Sequence, residues 1–364
     1  MSPLERLVHD ALENPFAAAQ AHVHGGGRAI GYFGSDVPVE LIIAAGAFPF
    51  RLPSTAAGSV ALADRYLESS FAPDVRSIAQ QYLDGRFDFL DAVILPRSND
   101  SAQRLYYYLC ELRKRESLGG PDMLIFDLAK IPRDISRAHS RAATQRLAAQ
   151  IGVVHEALPR AIERRNRRRD LFARLAASRR VPAGPAGSTV DRLARAADRC
   201  DAPTFDEALE ASLAGLAPGP SGPRLVLAGS APPDERLHAM VEGAGGNVVA
   251  ESGDHSAATV AQPPIAADGG LSAIADHYHA QQSGPRAFVD HAALITALSA
   301  AVHADGVILW LTEQEDALIW NLPGERSALA AAGTPSLALS RRRWDGIDAR
   351  QEIEDFTQSL EGRP

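Results

Sequence analysis

Short apolar runs, each closed by a turn and followed by a helical pattern, occur in two groups along this 364-residue chain. They constrain the fold more than any other feature. The first group comprises 28–33 (RAIGYF), 48–52 (FPFRL), 92–95 (AVIL) and 123–127 (MLIFD). The second comprises 224–230 (RLVLAGS), 247–251 (NVVAE), 306–311 (GVILWL) and 336–340 (SLALS). Runs that are apolar on successive residues, rather than on alternate ones, belong to strands buried on both faces. Alternation with helices then implies parallel sheets covered on each side. The expected fold is α/β, with two doubly wound parallel-sheet domains of Rossmann or flavodoxin type joined by a helical segment.

Helical spacing predicts helices over 1–25, 39–47, 75–83, 102–115, 234–244 and 347–360. Ser35 or Asp36 is placed to cap the second of these, with Pro38 in its first turn. From 133 to 177 the pattern is continuously helical, with Leu147, Ile151, Val154, Leu158, Ile162, Leu171 and Leu175 as its apolar stripe. Within it, the arginine-rich run 164–169 (RRNRRR) reads as a solvated face, with a phosphate or partner contact as the alternative. The Pro/Gly cluster at 216–223 (LAPGPSGP) is the strongest breaker and the expected linker. The expected division is a first α/β domain over 1–132, a helical connecting segment over 133–215 and a second α/β domain over 216–364.

The net charge of −8 provides no basic footprint for nucleic acid or an anionic membrane. No apolar run approaches the roughly 20 residues of a membrane span, and the opening MSPLER lacks the features of a secretory signal. Two distant cysteines, Cys110 and Cys200, offer no disulfide framework and suit a reducing compartment. A cytoplasmic protein is expected.

Local motifs are sparse. Gly229-Ser230 follows a strand but lacks the full glycine spacing of a dinucleotide loop, and Pro232-Pro233 removes two backbone donors. A plain strand-to-helix turn is the simpler reading. Ser98, Asn99, Asp100 and Ser101 follow the strand ending at Pro96; they are placed to cap the next helix and to face a ligand beyond the strand ends. Glu251, Asp254 and His255, with Glu313, Glu315 and Asp316, read as solvated loop residues, with an oxygen/nitrogen metal site as the open alternative. His277, His279, His291 and His303 read as surface or satisfied polar positions. No phosphate-binding loop, nucleophile elbow or zinc-protease motif is present.

Several segments in order carry a resemblance. The stretch 31–51 (GYFGSDVPVELIIAAGAFPFR) resembles the opening of the 2-hydroxyacyl-CoA dehydratase / benzoyl-CoA reductase family. Segments 67–77, 87–105, 158–167, 225–230, 246–251 and 305–316 follow in matching order, closed by Thr334-Pro335 and a final helix. In that family an ATP-dependent activator passes one electron to a cluster-bearing heterodimer, which forms a ketyl radical of an acyl-CoA thioester. Where the resemblance places cluster cysteines, this chain has Ala72, Asn99, the loop 252–256 (SGDHS) and Glu315. Iron–sulfur cages need soft thiolates, so no [4Fe–4S] cluster is expected and no metal is assigned.

The resemblance implies one of three roles. The chain is a supporting subunit beside a homologous cluster-bearing subunit or a second copy of itself; or an acid–base enzyme acting on an acyl-CoA; or a ligand-binding or regulatory module. The expected cleft lies between the two α/β domains, lined by Ser35, Ser98, Asn99, Asp100, Ser230, His255 and Glu315.

Overall fold

The computed structural model describes residues 1–253, 256–281 and 288–362. Among these residues, eight strands form two four-stranded parallel sheets. The first holds β1 (Arg28–Tyr32), β2 (Ala47–Arg51), β3 (Ala92–Pro96) and β4 (Asp122–Phe126) in the order β2-β1-β3-β4. The second holds β5 (Arg224–Gly229), β6 (Asn247–Ser252), β7 (Gly306–Thr312) and β8 (Ser336–Arg342) in the matching order β6-β5-β7-β8. Ile30 pairs with Pro49 on one side and Ala92 on the other; Leu225 likewise lies between Val248 and Gly306. Each sheet therefore reverses its winding between its first and third strands in chain order, as in a doubly wound fold.

Helices α1 (Pro3–Glu13) and α2 (Ala17–His24) precede the first sheet, and α3 (Val39–Ala44), α4 (Pro73–Leu83) and α5 (Asp100–Glu116) connect its strands. Helices α6 (Asp134–Ile151), α7 (Leu158–Ser178), α8 (Gly187–Ala197) and α9 (Ala202–Ser212) form the helical segment. The rest of the chain adds α10 (Arg236–Gly243), α11 (Ala257–Val260), α12 (Gly270–Ala280), α13 (His291–Ala301), α14 (Leu322–Ala331) and α15 (Arg350–Ser359). No described helix is long and apolar enough to cross a membrane.

Each sheet is packed on both faces, which is what its unbroken apolar runs require. One face of the first sheet buries Phe50, Phe71, Phe87, Val93 and Leu95 under α4 and α5; Phe16 joins this cluster, 5.5 Å from Phe50 between ring centroids. Fully burying each such side chain contributes about 1.5–3 kcal/mol. The other face packs Ile30, Ile94 and Phe126 against Leu41 and Ile42 of α3 and against α6 and α7. Every residue of β7 is buried. Its pleat sends Ile308 and Trp310 toward α10 and α15, and Val307 and Leu309 toward α13 and α14. Residues 257–281 depart from their sheet: Ile265, Ile274 and Tyr278 complete the first sheet's core.

Three helical expectations change. The helix expected over 1–25 breaks after Glu13, because Pro15 has no N–H and disfavours helical backbone at Asn14. The one expected over 133–177 divides at Gly152, which takes a left-handed conformation at φ 76°. Neither Ser35 nor Asp36 caps α3: Pro38 stands at its N-cap, while Asp36 pairs with Lys130 at 2.5 Å.

Candidate functional site

Parallel strands place all their carboxyl ends on one edge of a sheet, and the reversal point of each order leaves a crevice there. In this chain both crevices open on one cavity of about 560 Å³. The first sheet contributes Phe33 and Gly34 after β1, Ala72 to Asp74 at the start of α4, and Asn99 after β3. The second contributes Gly229 to Ala231 at and beyond the end of β5, Glu251 to Gly253 at the end of β6, and Thr312, Gln314 and Glu315 at and beyond the end of β7. Gly229 is required at its place: its φ is +113°, and a Cβ there would lie 2.2 Å from the Trp310 carbonyl oxygen.

Backbone and side-chain hydrogen bonds fix the second sheet's rim. The Ser230 amide donates to Trp310 O at 2.8 Å, and the Thr312 amide donates to Ser230 Oγ at 3.1 Å. Ser230 Oγ in turn donates to Glu315 Oε2 at 3.4 Å. The other Glu315 oxygen accepts from the amides of Ala317 and Leu318 at 3.1 and 3.0 Å. Glu315 thus ties the loop after β7 to the end of β5. On the opposite rim Asn99 caps α5, its Oδ1 accepting from the Ala102 amide at 2.9 Å.

Of the seven residues expected to line a cleft, Asn99, Ser230 and Glu315 meet in this cavity. Ser98 is buried away from it, donating to Asp36, which also pairs with Lys130. Ser35 lines a small neighbouring pocket with Arg51, Arg165 and Asp198. Asp100 is the first residue of α5 and is exposed outside the lining. His255, with Asp254, lies outside the described residues.

The arginine run does not form a solvated face. Arg168 and Arg169 are buried, and Arg165 is largely so. Arg169 pairs with the fully buried Glu40, which also accepts from the Tyr278 hydroxyl at 2.9 Å. Arg168 pairs with Asp206, and Arg165 lies 3.3 Å from Asp198. A helix turns about 100° per residue, so five arginines in six positions occupy every face and some must point inward. Burial pushes the Glu40 carboxyl up, yet Arg169 and Arg165 more than offset this and hold it below its ordinary value.

Sequence reasoning missed the cavity's inner wall. Leu294, Ile295 and Leu298 of α13, Leu309 and Leu311 of β7, and Leu318 beyond it make that wall apolar. His291, the first residue of α13, and Glu325 of α14 also face it. Burial lowers the His291 pKa, partly countered by Asp290, and burial raises that of Glu325. The Asp290–Ala293 pair was the available signal: an N-cap starting a helix whose 291–301 segment carries a leucine stripe. At the cavity's far edge Glu251 is held by Arg179 and His238. Burial raises its pKa, but those partners carry it down to about 2. Among the described lining residues there is no arginine or lysine. No described group of three or more His, Cys, Asp or Glu side chains is arranged to hold a metal ion.

A family model described as 2-hydroxyglutaryl-CoA dehydratase, D-component, matches residues 35–360. The chain belongs to that family. No curated protein matches it. In this dehydratase-family chain, the places that the sequence resemblance pairs with cluster cysteines converge: Ala72, Asn99, Ser252, Gly253, Ser256 and Glu315 all line the one cavity. The two cysteines are elsewhere. Cys200 packs in the core of α1, α8 and α9 with its thiol pushed up to about 12 by burial. Cys110 lies within α5.

Proposed function

We propose that this dehydratase-family chain is a cluster-free supporting subunit, working beside a homologous cluster-bearing subunit in a complex of the acyl-CoA dehydratase or reductase type. The observation that carries this reading is the convergence of Ala72, Asn99, Ser252, Gly253, Ser256 and Glu315 on one cavity without a thiolate among them. A methyl group and oxygen or nitrogen donors do not satisfy iron that requires soft sulfur ligands. The donor set does not fit a [4Fe–4S] cluster, and no electron-transfer step is assigned to this chain. Trp320, 84% exposed just beyond the cavity residue Leu318, offers apolar surface for a partner.

A second reading rests on the cavity's size. At about 560 Å³ it lies within the roughly 300–1,000 Å³ of small-molecule sites. That volume suits an acyl-CoA or other small ligand, bound for regulation or for acid–base chemistry at Glu315.

Anaerobic purification from the native host, with iron and acid-labile sulfide assayed on whatever co-purifies, separates the readings. Iron arriving with a cysteine-bearing homologue is the expected result. A lone iron-free protein transfers the assignment to the ligand reading. Stoichiometric cluster iron on this chain alone overturns the first proposal.

A further inference from the structure

The family description names a 2-hydroxyglutaryl thioester, whose acyl group ends in a second carboxylate. A buried anion of that kind needs a cation or free amide donors beside it. The cavity presents the opposite charge. Asp74, Glu251, Glu315 and Glu325 all line it, and no arginine or lysine does so among the described residues. Arg179 is committed to Glu251 through both terminal nitrogens, at 2.7 and 2.6 Å.

Helix N-termini attract anions; besides the single turn of α11, three helices of more than ten residues begin at the cavity wall. Each already carries its own acceptor. Asp74 occupies the first turn of α4, Asn99 Oδ1 takes an amide of α5, and Asp290 Oδ1 takes the Ala293 amide of α13 at 3.0 Å. The inner wall is leucine and isoleucine, with Glu325 as its acidic group; burial already pushes that carboxyl toward its neutral form. A second carboxylate there would be buried beside Glu325 with no arginine or lysine among the described lining residues.

We infer that the recess walled by α13, α14 and β7 selects an uncharged apolar acyl group and rejects a carboxylate-terminated one, with Leu294 and Leu298 as specificity-determining residues. This deepens the ligand reading by naming the acyl class, and rests on it only for the CoA handle.

The test compares two acyl groups of equal chain length, pentanoyl and glutaryl. Each is presented as the CoA thioester and as the N-acetylcysteamine thioester, which lacks the nucleotide. Binding to the full chain is measured by calorimetry and by ligand-detected NMR. Pentanoyl is expected to bind about tenfold or more tightly than glutaryl in whichever series binds. Leu298→Trp, which fills the recess, should remove that preference. Leu294→Arg, at a position already 37% exposed, should shift it toward glutaryl. Pentanoyl binding in the short thioester series alone sustains the inference and overturns the CoA reading. Glutaryl binding as tightly as pentanoyl in the CoA series overturns the inference and leaves that reading standing. Binding of neither acyl group in either series overturns both.

Discussion

Glu251 ties β6 to the helical segment, and its removal has a calculable cost. The residue is 9% exposed, and its carboxylate accepts from Arg179 Nη1 and Nη2 at 2.7 and 2.6 Å and from His238 Nε2 at 3.0 Å. Burial raises its pKa, and those donors bring it from an ordinary 4.5 down to about 2. The gap between those values corresponds to about 3 kcal/mol. Because the folded value is the lower one, this stability is fully present above pH 4.5 and is lost as pH falls toward 2. Glu251→Gln should therefore cost about 3 kcal/mol at pH 7 and only about 2 kcal/mol at pH 3.5. Stranding the buried Arg179 charge adds to the neutral-pH loss. Equilibrium urea unfolding followed by tryptophan fluorescence is the assay, since the fully buried Trp310 and the partly buried Trp344 report on the same sheet. A loss below about 1 kcal/mol at pH 7, or one that does not narrow on acidification, would refute the reasoning.

Arg169→Met removes the paired guanidinium from the fully buried Glu40, leaving the Tyr278 hydroxyl and the more distant Arg165 charge, and should cost about 3–5 kcal/mol. Adding Glu40→Leu should restore most of that, measured by urea unfolding under circular dichroism; equal stability of single and double variants would dismiss the ion-pair account. Gly229→Ala must hold a φ of +113° with its Cβ against the Trp310 carbonyl, whereas Gly333→Ala at φ +72° meets open space. The first should lose at least about 2 kcal/mol more than the second in thermal unfolding, and parity would show the β5 turn relaxing freely.

All eight strands were legible because a parallel strand buried on both faces is written as an unbroken apolar run, as in AVILP at β3. Helix ends were less so. Gly152 and Pro15 interrupt patterns whose apolar spacing continues past them. At the site, Asn99, Ser230 and Glu315 were found because residues just past a strand face the crevice whatever packs around them. Ser98 was misplaced by one position, its side chain turned to the buried Asp36. The inner wall eluded sequence reasoning for another reason. Nothing in the Ala-rich stretch 291–301 says which strand face it will cover, and that depends on the winding of the whole second sheet. The buried arginines were missed because a charge run conveys composition but not the partners, Glu40, Asp198 and Asp206, that make burial tolerable.

The return of residues 257–281 to the first sheet governs the order in which the protein can be made. Chains emerge from the ribosome amino end first, and their early domains generally fold as units before later ones appear. Here that cannot happen in full. Ile265, Ile274 and Tyr278 belong to the core under β1 and β3, so the surface they cover stays open until residue 278 has been synthesised. Glu40 and Arg169 are both synthesised well before Tyr278, whose hydroxyl completes their cluster. The amino-terminal sheet is thus the first to be translated, yet its core closes only after β5 and β6 of the second sheet have been made.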